Sequence, residues 1–156
     1  MSDPDRYSKA ESGGCVWEET DIFTQSRDRY ETEDTAAIAH LETLRDLAEQ
    51  GGIPHDQYEA PKGKNSLINR SPKPWVGHLE SDGPEDHDGT YRQYRLYFGE
   101  APTSCRSLLA ALIEFKHTRW SERKRKTSQT KHIATAMSAI VRWCKREQCD
   151  FRVVEK

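Results

Sequence analysis

The stretch TYRQYRLYFGEAPTSCRSLLAALIEFKHTR, residues 90–119, decides how the rest of the chain is read. It contains two runs of strand character, Tyr91–Phe98 and Ser107–Phe115, and the segment between them holds Gly99 and Pro102, residues that punctuate strands. The pair reads as a hairpin-like core. Period two places Tyr91, Gln93, Arg95 and Tyr97 on one face of the first strand, and Arg92, Tyr94, Leu96 and Phe98 on the other, more apolar face. The second run leaves through Lys116, His117 and Arg119, so a cationic cluster sits where an apolar strand meets water.

Beyond that exit, Lys116 to Lys126 holds six Lys or Arg residues against the single acid Glu122, with His117 and Trp120 interleaved. Such a cluster can pair with phosphates while an aromatic ring stacks on a base; its plain structural counterpart is a solvated strand-to-helix turn. The RWSERKRK segment reads as a linker to a helix starting near Thr127 or Ser128, whose buried face is Ile133, Met137, Ile140, Val141 and Cys144. His132 stands alone in a polar first turn and reads as a surface or helix-capping residue rather than a metal ligand. The tail through Phe151, Val153 and Val154 is suited to a last edge strand.

On the N-terminal side, residues 1–14 are polar, end in Ser12, Gly13 and Gly14, and predict a disordered leader. Val16, Trp17, Ile22 and Phe23 suggest a short strand or docking segment. Ala37, Ile38, Leu41, Leu44, Leu47 and Ala48 recur at helical spacing over residues 34–50, with Thr32 or Asp34 near the cap and Gly51, Gly52 and Pro54 as the stop. Residues 53–89 are rich in turn formers but keep Leu67, Ile68, Trp75, Val76 and Leu79, which predicts short strands between turns. Within them Lys62, Lys64, Arg70 and Lys73 form a second loose cationic group. The acidic SDGPEDHDG stretch lacks the ligand periodicity of a calcium loop and reads as an exposed turn.

At 156 residues with 34% hydrophobic content, the chain supplies one modest core and predicts one domain, residues 15–156 after the leader. The start has neither the charge pattern nor the apolar segment of a secretory signal, and no run is long enough to span a bilayer, so a cytoplasmic location with no membrane partner is expected. Cys15, Cys105, Cys144 and Cys149 form no CxxC pair and read as free thiols, although Cys144 and Cys149 could pair under oxidation. The net charge of −2 conceals a division: residues 1–60 carry 15 acidic and 5 basic side chains (−10), and residues 61–156 carry 11 acidic and 19 basic (+8). A basic half of this kind suits a polyanion. No Walker loop, Rossmann fingerprint, HExxH or GxSxG is present, which leaves nucleotide-cofactor and hydrolase-elbow chemistry without a motif.

The order of these elements carries a resemblance. The helix ending at Gly51–Gly52, the irregular basic stretch, the YRLYF run with Tyr94–Arg95, the LLAALIEFKH strand with its cationic exit and the TKHIATAMSAIVRW helix together resemble the RelE/HigB/ParE superfamily of toxins from bacterial type II toxin–antitoxin systems, over residues 16–145. The resemblance implies an α+β fold, a small curved antiparallel sheet packed against N-terminal helices and a C-terminal helix. Many members cleave mRNA, commonly on the ribosome, while others act on DNA gyrase; a cognate antitoxin neutralises them. This chain departs from the family in its polar leader, acidic turn and tail.

The implied activity is metal-independent endoribonuclease action, with no cofactor. Internal transfer from a 2′-hydroxyl needs fixed cations plus a proton acceptor and donor. Arg95 is the candidate phosphate clamp, because its fork matches phosphate oxygens. His117 is the acid/base candidate, Lys116 and Arg119 would tune it or neutralise substrate, and Tyr97 assists if it shares the Arg95 face. Lys64, Arg70 and Lys73, together with Trp120, Arg123, Lys124, Arg125 and Lys126, are the candidate RNA-binding residues. The alternatives are a non-catalytic nucleic-acid-binding module and a protein-interaction domain of phage or mobile-element origin. Catalysis predicts that Arg95 and His117 converge on one concavity.

Overall fold

The computed structural model describes residues 3–65 and 67–155. Among the described residues seven strands and α-helices follow one another: β1 (Val16–Glu19), α1 (Asp21–Glu33), α2 (Thr35–Glu49), β2 (Gly77–Asp82), β3 (Arg92–Gly99), β4 (Ser107–His117) and α3 (Glu122–Glu147). The sheet order is β1-β4-β3-β2. β2, β3 and β4 form an antiparallel meander, but β1 pairs with β4 in parallel, so the sheet is mixed and not wholly antiparallel as expected. The α+β class stands: helices α1 and α2 cover one face and α3 the other. Among the described residues no helix is long and apolar enough to cross a membrane.

The alternation expected of β3 is what divides the core in two. Tyr94, Leu96 and Phe98 pack with Phe23, Tyr30, Ile38, Leu41 and Trp75 on the α1–α2 side. Tyr97 packs with Val76, Leu109, Leu112, Ile133, Met137 and Ile140 on the α3 side. A bulge at Tyr97/Phe98 skips one residue of β4, which shifts the pairing beyond Tyr97 and lets Leu108 and Ala110 join the first layer.

Four local readings are corrected. Residues 21–33 form a full helix where only a docking segment was expected. Thr20 starts it: its Oγ1 accepts from Phe23 N at 3.0 Å and donates to the Ala111 carbonyl at 2.8 Å, tying the cap to β4. Helix α3 begins at Glu122, not near Thr127, because Ser121 Oγ accepts from Lys124 N at 3.1 Å; the RWSERKRK segment is thus largely the first turn of the helix and not a linker.

The leader over residues 3–14 is packed rather than disordered. It forms two 3-10 turns, Pro4–Arg6 and Lys9–Ser12, with Asp5 and Ala10 buried. The buried Glu100 carboxylate accepts from Ser8 Oγ at 2.7 Å and Lys9 N at 3.0 Å, and Arg152 in the tail reaches the same carboxylate at 3.1 Å. Trp75 Nε1 donates to the Asp5 carbonyl at 2.7 Å. Polar residues order here because their partners come from distant parts of the chain. Among the described residues the tail contributes a single bridge, Val153 to Pro74, instead of a strand.

Candidate phosphate-binding site

On the α3 side of the sheet, period two brings polar residues of three strands into one row. Arg95 lies opposite Glu80 of β2 and Glu114 of β4, Tyr97 lies opposite His78 and Leu112, and Lys116 lies opposite Gln93. Helix α3 crosses above them. Arg125, Gln129, His132 and Ala136, spaced four, three and four residues apart, share one stripe of that helix.

Arg95, 8% exposed, holds Glu80 Oε1 through Nη2 at 3.2 Å, and His78 Nε2 lies 2.9 Å from the same oxygen. Farther toward solvent, Lys62 Nζ meets Glu59 Oε2 at 2.7 Å. Lys116 Nζ donates to Gln129 Oε1 at 2.8 Å, joining β4 to α3. The Tyr97 ring stands between the two imidazoles, 5.8 Å from His78 and 6.5 Å from His132.

Burial and charge set the protonation pattern. The hydrogen bond from His78, with help from Arg95, holds the Glu80 carboxyl down at about 2. Burial lowers His78 to about 4, so its imidazole is neutral and donates through Nε2. Burial first, then Arg95, Lys62 and Arg125, lower the Lys116 ammonium to about 8, which makes it a proton donor near neutrality. Burial also lowers His132 and raises the Tyr97 phenol.

Among the described residues, seven buried side-chain nitrogen or oxygen atoms lack a hydrogen-bond partner, and six belong to this row: Arg95 Nε and Nη1, Tyr97 Oη, Arg125 Nε, His132 Nδ1 and His78 Nδ1. Native proteins leave few buried polar groups unpaired, and their concentration in one place marks a site built for something else.

The expected convergence of Arg95 with His117 does not occur. His117 lies opposite Arg92, three residues beyond the partner of Arg95, and an odd separation on a strand puts the two on opposite faces. His117 Nδ1 accepts from Arg119 N at 3.2 Å while Nε2 faces Asp86 of the acidic turn at 3.4 Å. Trp120 packs on Phe115 and His117, with Lys124 Nζ 4.4 Å from its ring centre, so this group too belongs to the His117 side. Arg119, Arg123 and Lys126 are exposed. Lys64 pairs with Asp3 at 2.7 Å, Arg70 donates to Ser138 Oγ at 2.7 Å, and Lys73 reaches the Asn65 carbonyl at 3.4 Å; all three serve internal contacts. Of the residues read from the sequence, Arg95, Tyr97, Lys116 and Arg125 come together. His78, Glu80, Gln129 and His132 join them without having been expected. The signals were the HxE spacing at residues 78 and 80, and the helical spacing of 125, 129 and 132 once α3 is started at Ser121.

Glu59, His78 and Glu80 bring three possible metal-ligand atoms within 4.8 Å of one another. The fit to a cation is poor. Lys62 and Arg95 already neutralise the two carboxylates, and a metal on His78 Nε2 would turn Nδ1 into a buried N–H with no acceptor. An ion-pair network accounts for the cluster better. No family model matches the chain, and no curated protein or solved structure is significantly similar to it.

Proposed function

We propose that the protein is the toxin component of a toxin–antitoxin system, a metal-independent endoribonuclease that cleaves mRNA, on the ribosome, and is neutralised by a cognate antitoxin. The observation that carries this reading is the gathering of a positioned carboxylate, a buried arginine and a lysine of lowered pKa on one face of the sheet: Glu80, Arg95 and Lys116. These groups meet the demands of internal phosphoester transfer. Arg95 binds the equatorial oxygens of the scissile phosphate. Glu80, whose Oε1 is anchored by Arg95 and His78, offers its other oxygen to the 2′-hydroxyl proton. Lys116 protonates the departing 5′-oxygen, and Gln129 holds its ammonium in place. Arg123 and Lys126 on the exposed first turns of α3 contact flanking phosphates.

The same division of charge favours one second reading. Because Trp120, Lys124 and Arg119 lie away from Arg95, they form an exposed basic surface that could bind RNA without cutting it, as a nucleic-acid-binding module would. Induced expression of wild type, Arg95→Ala and Glu80→Gln, with growth curves and mapping of mRNA ends, separates the two. The expected result is growth arrest with discrete new RNA ends in wild type and a loss of about 10²- to 10⁴-fold in cleavage by either variant. Abundant folded wild type that leaves RNA intact refutes the nuclease reading, and arrest without new ends points to binding alone.

A further inference from the structure

The unpartnered atoms under α3 have a common chemical character. Arg95 Nε and Nη1 and Arg125 Nε are donors only, and the Tyr97 hydroxyl is free to donate. His132 Nδ1 donates in one tautomer. His78 Nδ1 is set apart, since Nε2 of that ring already faces Glu80 and Nδ1 is left as a lone pair. Five unpaired groups therefore present hydrogens and ask for an acceptor.

Charge points the same way. Glu59 is occupied by Lys62 and Glu80 by Arg95, while Glu114 accepts a hydrogen bond from the Tyr30 hydroxyl. Among the described residues, neither Lys116 nor Arg125 forms an ion pair. Both act on the same field, Arg95 and Arg125 each lowering the Lys116 ammonium, and neither Lys116 nor Arg125 has a carboxylate within salt-bridge distance, an arrangement that costs free energy until an anion enters. Water, with two donors of its own, satisfies an all-donor cluster poorly; a tetrahedral oxyanion has acceptors on every side and can be held from the sheet below and the helix above.

We infer that the polar layer between α3 and the sheet binds one tetrahedral oxyanion, inorganic phosphate or sulfate, through Arg95, Tyr97, Arg125 and His132, and that this anion clamps the N-terminal half of α3 onto β3 and β4. The inference rests on the site of the proposed nuclease but not on cleavage. Lys116, Arg125 and His132 are only partly buried, which leaves a way in. The Lys116–Gln129 hydrogen bond is the one side-chain hydrogen bond among the described residues that joins the polar row of the sheet to this part of α3, so the anion supplies most of the polar contact there.

The test titrates the full chain with inorganic phosphate, and in parallel with sulfate, in chloride buffer at constant ionic strength, by calorimetry and by hydrogen exchange of residues 122–132. A 1:1 isotherm is expected, with slower exchange in that half of α3 and a melting temperature that rises with phosphate. Affinity should fall at least about tenfold in Arg95→Met and in Tyr97→Phe, the latter a change too small to unfold the protein. Arg29→Gln on α1 should bind as wild type. An uncleavable 2′-deoxy oligonucleotide should compete with phosphate if the two share these donors; binding of free phosphate without such competition assigns the donors to the small anion alone. Absence of saturable binding, or binding by Arg95→Met and Tyr97→Phe equal to wild type, overturns the inference and leaves these donors to water. Phosphate binding by a protein that leaves RNA intact supports the oxyanion site and removes the nuclease; RNA cleavage without phosphate binding does the reverse.

Discussion

Replacing Tyr97 by Phe should stabilise the protein, and the sign of that change depends on where the hydroxyl lies. Three tyrosines are buried around the sheet, Tyr30, Tyr94 and Tyr97, each 2% exposed or less. Two of them donate to carboxylates, Tyr30 to Glu114 and Tyr94 to Asp34, whereas Tyr97 Oη has no partner among the described residues. A buried hydroxyl without a hydrogen bond costs about 1–3 kcal/mol, while one bonded to a charged acceptor contributes about 1.5–3 kcal/mol. Because the oxygen also contributes some van der Waals packing, Tyr97→Phe should gain about 1 kcal/mol, a rise in melting temperature of about 2–4 °C for a chain of this size. Tyr30→Phe and Tyr94→Phe should each lose about 1–2 kcal/mol, less than the full value because their partners Glu114 and Asp34 are only partly buried. Urea unfolding in chloride buffer measures all three. With saturating phosphate the Tyr97 gain should vanish, because the hydroxyl then has an acceptor. A loss of stability in Tyr97→Phe beyond about 0.5 kcal/mol in chloride would show that the hydroxyl is bonded and would remove the argument that it awaits an anionic acceptor.

Other perturbations test the scaffold and the charges. Gly52 has φ +108°, and a Cβ there would lie 2.0 Å from the Glu11 carbonyl, so Gly52→Ala should cost more than about 2 kcal/mol and expose residues 3–14 to limited proteolysis; unchanged stability would contradict the docked leader. Thr20→Val removes the cap of α1 and strands the Ala111 carbonyl, an expected loss of about 1–2 kcal/mol by urea melts. Lys116 has its folded pKa lowered to about 8 from the ordinary 10.5, so between those values the unfolded chain holds more protons and the group's contribution to stability rises with pH. Below pH 8 both states are charged and the burial penalty is complete. The stability advantage of Lys116→Met over wild type should therefore narrow from pH 8 to pH 10, and a constant difference over that range would show that Lys116 is not held in a desolvated position.

The sheet was legible where both its faces are apolar or alternate cleanly. Tyr94, Leu96 and Phe98 against Arg95 and Tyr97 declared β3, and the stripe from Ala37 to Ala48 declared α2. Helix α1 was not legible because it buries only Phe23 and Tyr30, seven residues apart, and the intervening polar residues hide a face that packs against β4. The parallel pairing of β1 joins residues 16–19 to 107–110, a separation with no local mark. The leader is held by Glu100, Trp75 and Arg152, all remote in sequence, so its own composition suggested disorder. In the site, Arg95 could be found from its strand position. His132 could not be placed until the start of α3 was known, since starting the helix at Thr127 leaves this residue in a solvated first turn.

Adjacent residues on a strand cannot serve one site, and this limits what the cationic exit of β4 can do. Lys116 and His117 look like a pair in the sequence, yet one belongs to the row beneath α3 and the other to the opposite face beside Trp120 and Asp86. A proton acceptor for chemistry at Arg95 must then come from a neighbouring strand at the same level or from the helix above. Cross-strand register supplies the first through Glu80, which lies directly opposite Arg95, so carboxylate and guanidinium are fixed together by backbone pairing. Helical spacing supplies the second through His132, one turn beyond the Gln129 that anchors Lys116. Under the proposed nuclease reading the same parity binds every candidate group: exchanging Glu80 with Ser81 by a double substitution would carry the carboxylate to the α1–α2 face, and mapping of mRNA ends should then show no cleavage even though the composition of the chain is unchanged.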